Sequence, residues 1–147
     1  MRVLLVYDTT FGTGRQVAAI IENAMVSSGT VVNVYNVRDA PTKGLDQYDL
    51  MIFGTPTHGK NPTMKMKRYV KKAAMAVPGR RMCAYNTRVD PKIGHKPANK
   101  LLDLGMSLGL GPWGKCESFC VKGIKGVLKE GEEARIHNWA MGLVAGA

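Results

Sequence analysis

The sequence predicts an α/β fold built on a doubly wound, five-stranded parallel sheet, with helices on both faces and a second helix that is short or missing. Two observations favour this fold. Short apolar runs alternate along the chain with segments of helical periodicity, which is the pattern of a parallel sheet covered by helices. The 147 residues, of which 45% are hydrophobic, fit one domain over residues 1–147 whose core needs neither disulfides nor a metal.

The first half of the chain supplies three of the predicted strands. Arg2 to Tyr7 is a short apolar run that a polar Thr/Gly cluster closes, and it predicts a buried strand. Gln16 to Met25 has apolar residues at helical spacing and predicts the first helix. Thr30 to Tyr35 and Tyr48 to Gly54 are the next two predicted strands. Because the stretch from Asn36 to Gln47 is short, we expect the helix between them to be rudimentary.

The second half continues the alternation. Its predicted elements are a basic helix from Thr63 to Val77, a strand from Arg81 to Asn86, a helix from Pro97 to Leu108, a strand from Cys116 to Val121 and a helix from Glu130 to Val144. Ligands of such folds bind beyond the carboxyl ends of the strands, where the strand order reverses. The loops after the first, third and fourth strands are therefore the candidate site.

The loop after the first strand has the composition of a phosphate site, Thr9-Thr10-Phe11-Gly12-Thr13-Gly14. Its hydroxyls can donate to phosphate oxygens, its glycines let backbone amides come close, and the following helix offers its N-terminal amides. The alternative is a plain strand-to-helix connection, and the carboxylate of Asp8 would repel a nearby phosphate. The loop lacks the P-loop and G-x-G-x-x-G patterns, which argues against nucleotide hydrolysis and dinucleotide binding.

Four motifs in this order resemble the flavodoxin family, and together they span nearly the whole chain. They are Leu5-Val6-Tyr7 with residues 9–14, the segment Tyr48 to Gly59, the segment Ala84 to Arg88, and a C-terminal set made of Glu117-Ser118-Phe119, Gly123-x-x-Gly126, Gly131-Glu132-Glu133 and Trp139-Ala140. The C-terminal set is similar to that of a short actinobacterial-type flavodoxin-domain group. Thr13 stands where the family usually has Asn, and Gly14 stands where it usually has Thr.

The resemblance implies a flavodoxin-like sheet with strand order 2-1-3-4-5 and FMN as the cofactor. It places the phosphate in residues 9–14 and the flavin ring between two loops, which are formed by Pro56, Thr57, His58 and Gly59 and by Asn86, Thr87 and Arg88. These two loops contain no Trp or Tyr to stack on the ring. The implied function is electron transfer or a small flavin-dependent reductase, and the alternative is a flavin-free binding module of the same fold.

The net charge of +10 comes from 21 Lys and Arg against 11 Asp and Glu, and both halves of the chain carry the excess. A surface of this sign attracts acidic partners, anionic cofactors or nucleic acid. Lys65, Arg68 and Lys72 share one face of the basic helix, which makes that face a candidate docking site for an acidic redox partner. A solvated helix face is the alternative. Nucleic acid is a weaker candidate because aromatic residues make up only 7%.

Other function classes have little support in the sequence. No stretch approaches the ~20 apolar residues of a membrane helix and no signal peptide is recognisable, so we expect a cytoplasmic protein. Cys83, Cys116 and Cys120 form no C-x-x-C pair and no zinc-ligand pattern, and we expect them to be buried thiols. His95 and His137 are expected to have no chemical role, and no arrangement of residues predicts nucleophilic catalysis.

Overall fold

In the computed structural model, which describes residues 1–9, 12–123 and 127–146, the chain forms a sheet with helices on both sides. The strands are β1 (Arg2–Tyr7), β2 (Val31–Asn36), β3 (Leu50–Pro56), β4 (Arg81–Arg88), β5 (Gly111–Pro112), β6 (Glu117–Lys122) and β7 (Val127–Leu128). The helices are α1 (Thr13–Ser27), α2 (Met64–Ala76), α3 (Lys96–Ser107) and α4 (Glu132–Val144). None of these helices is both long and apolar enough to cross a membrane.

Within the described residues, the sheet has seven strands in the order β2-β1-β3-β4-β6-β7, with β5 also paired to β4, so the prediction of five strands is wrong in its count. The long strands pair in parallel, as predicted, and the short strand β7 adds an antiparallel pair with β6. The long strands do follow the predicted order, with β6 in the place of the fifth. The additional strands β5 and β7 are only two residues long.

Two separate strands, β5 and β6, pair with the same side of β4 at different positions along it. Gly111 pairs with Arg81 at the start of β4, whereas Glu117 pairs with Tyr85 further along it. Pro112 has no N–H group for the ladder. The backbone N–H of Trp113 still donates to the carbonyl of Met82 in β4 at 2.9 Å, and its indole N–H donates to the carbonyl of Leu143 in α4 at 3.0 Å.

The core consists of two clusters, one on each face of the sheet. Val3, Leu4, Leu5 and Val6 are all fully buried, as expected for a parallel strand with helices on both faces. The cluster under α2 and α3 contains the even-numbered residues of this run, and the cluster under α1 and α4 contains the odd-numbered ones. The sheet is therefore doubly wound, as predicted.

The connection from β2 to β3 contains only a single turn of 3-10 helix, Leu45–Gln47. Leu45 and Tyr48 are nonetheless buried, and they close the core where a helix is missing. The hydroxyl of Tyr69 in α2 donates to the carbonyl of Pro41 at 2.6 Å, which fixes the connection against α2. The second helix is thus rudimentary, as predicted.

Gly54 in β3 and Tyr85 in β4 are neighbours across the sheet and fit together closely. A Cβ atom at Gly54 would lie 2.1 Å from Cζ of Tyr85, so the ring occupies the space of the missing side chain. Tyr85 is fully buried and makes a tilted ring contact with Phe119 and an edge contact with Trp139, at centroid distances of 6.0 and 5.7 Å. Its hydroxyl has no hydrogen-bond partner among the described residues.

Candidate functional site

A cleft of about 240 Å³ opens at the carboxyl ends of β1, β3 and β4. It is lined by Thr9, Thr13, Gly14, Pro56, Thr57, His58, Thr87, Arg88, Val89 and Val121. The chain passes from β1 to β2 on one side and returns to β3 on the other, so the strand order reverses at this cleft. That is the position at which open α/β sheets bind their ligands.

The structure brings most of the predicted site residues together, because the lining includes members of all three predicted loops. Gly12 is exposed just before α1, Gly59 lies in an exposed turn, and Asn86 is buried beneath the cleft. Thr10 and Phe11 lie outside the described residues, as does Gly126 of the C-terminal motif.

The loop before α1 is organised around the hydroxyl of Thr9. Its Oγ1 accepts hydrogen bonds from the backbone N–H groups of Gly12 at 2.8 Å and Gly14 at 3.2 Å. A hydroxyl that accepts two hydrogen bonds still has its own hydrogen to donate. Thr13 begins α1, whose first amides have no partners within the helix. The loop therefore presents hydroxyl and amide donors at the positive end of a helix dipole.

Gly14 is required by the close approach of α1 to the end of β1. A Cβ atom there would lie 2.7 Å from the backbone oxygen of Asp8 and 2.9 Å from Cβ of Thr9. Because both are rigid parts of the chain, a threonine at this position would have to displace the loop. The departure from the usual family residue thus has a steric reason, which a single sequence does not reveal.

Asp8 ties the end of β1 to the start of α2. Its carboxylate accepts from the backbone N–H of Thr9 at 2.8 Å and from the hydroxyl of Thr63 at 2.6 Å. Thr63 is the N-cap of α2 and accepts from the N–H of Met66 at 3.2 Å. Two donors thus compensate part of the negative charge that was expected to repel a phosphate. Sequence reasoning missed this role because Thr63 is distant in the chain.

The two other loops are held together beneath the cleft by Thr57 and Asn86. The hydroxyl of Thr57 donates to the carbonyl of Thr87 at 2.8 Å and accepts from Nδ2 of Asn86 at 3.4 Å. Nδ2 of Asn86 also donates to the carbonyl of Gly94, and its Oδ1 accepts from the N–H of Ala98 in the first turn of α3. Asn86 therefore positions the loops from below and does not line the cleft.

Arg88 contributes a cation to the wall of the cleft. Its Nε donates to the hydroxyl of Ser118 on β6 at 3.0 Å, which holds the guanidinium plane in place. No carboxylate forms an ion pair with it within the described part of the chain. His58, on the loop after β3, is exposed at the rim, and its backbone pairs with that of Asn61 in a tight turn.

Two lining residues were missed by the sequence analysis, Val89 and Val121. With Pro56 they form the apolar part of the described lining, and all three are aliphatic. Val89 directly follows Arg88 and could have been included on that ground. Val121 lies on β6, far along the chain, and only the pairing of β6 with β4 brings it to the cleft.

The three cysteines differ in their burial. Cys83 is buried as expected, whereas Cys116 and Cys120 are only partly buried. Burial raises the pKa of Cys116 to about 11 and also raises the pKa of Cys83. Among residues 1–9, 12–123 and 127–146, no three His, Cys, Asp or Glu side chains are grouped so that they could bind a metal.

These features define a class of protein. It is a doubly wound α/β protein whose ligand site lies at the reversal of strand order. The hydroxyls, the amides and the helix N-terminus suit a phosphate group. The aliphatic wall and the single guanidinium suit the rest of a partly apolar ligand, because such sites combine apolar surface with few polar groups. The residues present therefore fit a phosphorylated ring compound such as FMN.

Comparison with known proteins identifies the family. The family model described as Flavodoxin matches residues 5–139, so the chain belongs to the flavodoxin family. A flavodoxin of Clostridium saccharobutylicum is 29% identical over 75 residues, which are 50% of this chain and 47% of that protein. This match thus covers about half the length of each. Flavodoxins are FMN-binding electron-transfer proteins, which confirms FMN as the cofactor predicted from the sequence motifs.

Solved structures show the same fold at low sequence identity. Oxidised flavodoxin 1 of Bacillus cereus has a TM-score of 0.82 at 12% identity, and the match covers 100% of this chain and 99% of that one. A flavodoxin from the domain Archaea has a TM-score of 0.81 at 13% identity, with 99% and 97% covered. At these identities the likeness concerns the fold alone.

Proposed function

We propose that this chain binds FMN in the cleft at the carboxyl ends of β1, β3 and β4 and works as an electron carrier. The observation that carries the proposal is that three loops and the N-terminus of α1 meet in one cleft at the reversal of strand order. FMN, when bound, accepts and donates one or two electrons. Residues 9 and 12–14 hold the phosphate, residues 56–58 with Thr87 and Arg88 frame the ring, and Asn86 supports these loops from below.

In the loop before α1, binding of the FMN phosphate depends on uncharged hydrogen-bond donors. The hydroxyl of Thr9 is oriented by the two amides that it accepts from, and its hydrogen is available to a phosphate oxygen. The positive end of the α1 dipole adds to this donor. The loop is supported by Asp8, whose carboxylate is bound to Thr63 and thereby to α2.

In the part of the cleft that holds the flavin ring, binding depends on aliphatic packing and one cation. Pro56, Val89 and Val121 provide the apolar surface, in the absence of Trp or Tyr from the described lining. Arg88 is held by Ser118 and places a positive charge in the wall. A positive charge at this position stabilises negative charge on a bound ligand, and such charges set the properties of a flavin.

An electron carrier fits the described lining better than a reductase of small molecules. A reductase benefits from a positioned proton donor near its substrate. Apart from the guanidinium of Arg88, the titratable side chain in the described lining is that of His58, which lies exposed at the rim. We expect the FMN-loaded chain to oxidise NADH or NADPH with small acceptors no faster than free FMN does. Clear turnover above free FMN would favour the reductase.

The binding proposal is tested by titrating the FMN-free chain with FMN. We expect quenched flavin fluorescence and a perturbed absorbance band between about 350 and 500 nm at one equivalent. Flavin that keeps its free fluorescence and spectrum would refute the proposal and favour a flavin-free binding module.

A matched pair of variants locates the phosphate. Gly12 has φ +90°, a backbone region that Asn and Asp tolerate best among side-chain residues. Gly12→Asn and Gly12→Asp therefore impose similar backbone strain and differ mainly in charge. We expect Gly12→Asp to bind FMN at least tenfold more weakly than Gly12→Asn, from repulsion between the carboxylate and the phosphate, a difference of roughly 1.4 kcal/mol or more. Equal affinities would show that the phosphate lies elsewhere.

A further inference from the structure

The charged side chains of helix α2 are all positive. Its sequence MKMKRYVKKAAMA contains five cations, Lys65, Lys67, Arg68, Lys71 and Lys72, and no carboxylate. No other helix of the described chain has this composition, since α1, α3 and α4 each contain an acidic residue. Five of the ten net positive charges of the protein therefore lie on this one helix.

These like charges destabilise the helix itself. Lys65 and Arg68, and Arg68 and Lys72, are like charges at spacings of three and four residues, which destabilise a helix. Lys65 also lies in the first turn, where the helix dipole disfavours a cation. Within the described ranges, no ion pair neutralises any of these residues. The fold therefore does not compensate the charge of this helix.

The outer face of α2 forms one wall of a groove of about 270 Å³. The groove is lined by Val37, Arg38, Lys65, Arg68, Tyr69 and Lys72. Arg38 belongs to the connection after β2, so cations from two separate segments line one depression. Val37 and Tyr69 are buried and form an apolar floor. A groove with an apolar floor and cations on its walls suits a segment that carries carboxylates.

The groove adjoins the cofactor cleft through a direct chain of contacts. Thr63, the N-cap of α2, donates its hydroxyl to Asp8, and the next residue, Thr9, lines the cleft. Lys65 follows Thr63 by two residues. A protein bound on the first turns of α2 would thus lie beside the cleft, as electron transfer to a bound cofactor requires.

We propose that the groove formed by α2 and Arg38 docks an acidic segment of a redox partner protein. The proposal rests on the proposed function, because an electron carrier has to approach its partner with the cofactor side. A nucleic acid fits less well. Binding of single strands uses exposed aromatic rings for base stacking, and the aromatic residue of the groove, Tyr69, is only 5% exposed.

The test compares two double variants of equal charge. Arg68→Glu/Lys72→Glu changes the groove, whereas Lys115→Glu/Lys129→Glu changes exposed lysines beyond β4, on the opposite side of the sheet from β2. Both variants lower the net charge by the same amount. The probe is a plant-type iron–sulfur ferredoxin of net negative charge, titrated calorimetrically into the FMN-free and FMN-loaded chain at about 0.02 and 0.2 M salt.

We expect the ferredoxin to bind the unmodified chain at low salt and more weakly at high salt. Arg68→Glu/Lys72→Glu should weaken binding roughly tenfold or more, and Lys115→Glu/Lys129→Glu by less than about threefold. Equal weakening by both variants would overturn the proposal, because net charge alone would then explain the binding. The proposal would also be wrong if the unmodified chain did not bind the probe at low salt.

Two further measurements separate the remaining outcomes. FMN titration of both double variants should give the affinity of the unmodified chain, because neither variant changes the cleft. If the unmodified chain itself failed to bind FMN, the proposed function would be wrong, and this result would not depend on the groove. A duplex of about 20 base pairs is the competing ligand. If this duplex bound more tightly than ferredoxin at about 0.15 M salt and Arg68→Glu/Lys72→Glu removed that binding, the groove would be a nucleic-acid surface and the proposal would be refuted.

Discussion

Replacing Gly54 by alanine tests whether the contact between Gly54 and Tyr85 sets the spacing of β3 and β4 below the cleft. The added Cβ would lie 2.1 Å from Cζ of Tyr85 and 2.3 Å from its hydroxyl oxygen, whereas ordinary contact begins at 3.4 Å. The ring would have to retreat by about 1.3 Å. It is enclosed by Phe119 and Trp139, so this movement spreads into the core.

The expected cost is that of overpacking a dense core, about 1–3 kcal/mol of unfolding free energy, or roughly 3–9 °C in Tm for a chain of this size. Urea-induced equilibrium unfolding, followed by circular dichroism, measures this loss. The carbonyl of Gly54 also accepts the N–H of Asp8 at 2.9 Å, so we expect Gly54→Ala to weaken FMN binding as well.

The matched control is Gly142→Ala in α4, where an added Cβ meets no atom within 4 Å. It should raise stability by roughly 0.5–1 kcal/mol, because alanine is the better helix former. Adding Tyr85→Leu to Gly54→Ala should recover at least about 1 kcal/mol relative to the sum of the single changes. If the two changes simply added, or if Gly54→Ala were neutral, the steric reasoning would be wrong.

Three further predictions concern the phosphate loop and the thiols of Cys83 and Cys116. Gly14→Thr should destabilise the fold by about 1–3 kcal/mol and should not improve FMN affinity, because the side chain meets the backbone of Asp8; calorimetric binding and thermal unfolding check this. Thr9→Val should weaken FMN binding roughly tenfold while Thr9→Ser retains it, as measured by fluorescence titration. Because burial raises the pKa of Cys116 to about 11 from 9.0, and raises that of Cys83, the folded chain keeps protons that the unfolded chain releases. Stability should therefore be full below pH 9 and fall as the pH rises toward 11, and urea midpoints that stayed constant over this range would contradict it.

The long elements of the fold could be predicted because their patterns are local. The run from Val3 to Tyr7 is apolar, and the structure buries it on both faces. The two-residue strands β5 and β7 could not be predicted, because strands so short have no periodicity to detect. They depend on pairing with β4 and β6, which only the tertiary structure provides.

The candidate site also has a part that could be predicted from the sequence and a part that could not. The loops were predictable from position, since β1, β3 and β4 end at the same edge of the sheet. The supports of these loops were not, because they join residues distant in the chain, as in the hydrogen bond from Thr63 to Asp8. Glu132 lies in the first turn of α4, where a carboxylate favours the helix dipole. The structure adds that its carboxylate accepts the backbone N–H of Cys120 at 2.6 Å, which no sequence pattern indicated.

The position of β2 at the edge of the sheet has a consequence for how copies of this protein behave in concentrated solution. β2 is the edge strand on that side, and its sequence VVNVYN contains none of the lysines or prolines that commonly prevent edge strands from pairing between molecules. The net charge of +10 provides a different protection, because it keeps copies apart through long-range repulsion. Salt screens that repulsion over about 10 Å at 0.1 M, so colloidal stability should decline as ionic strength rises.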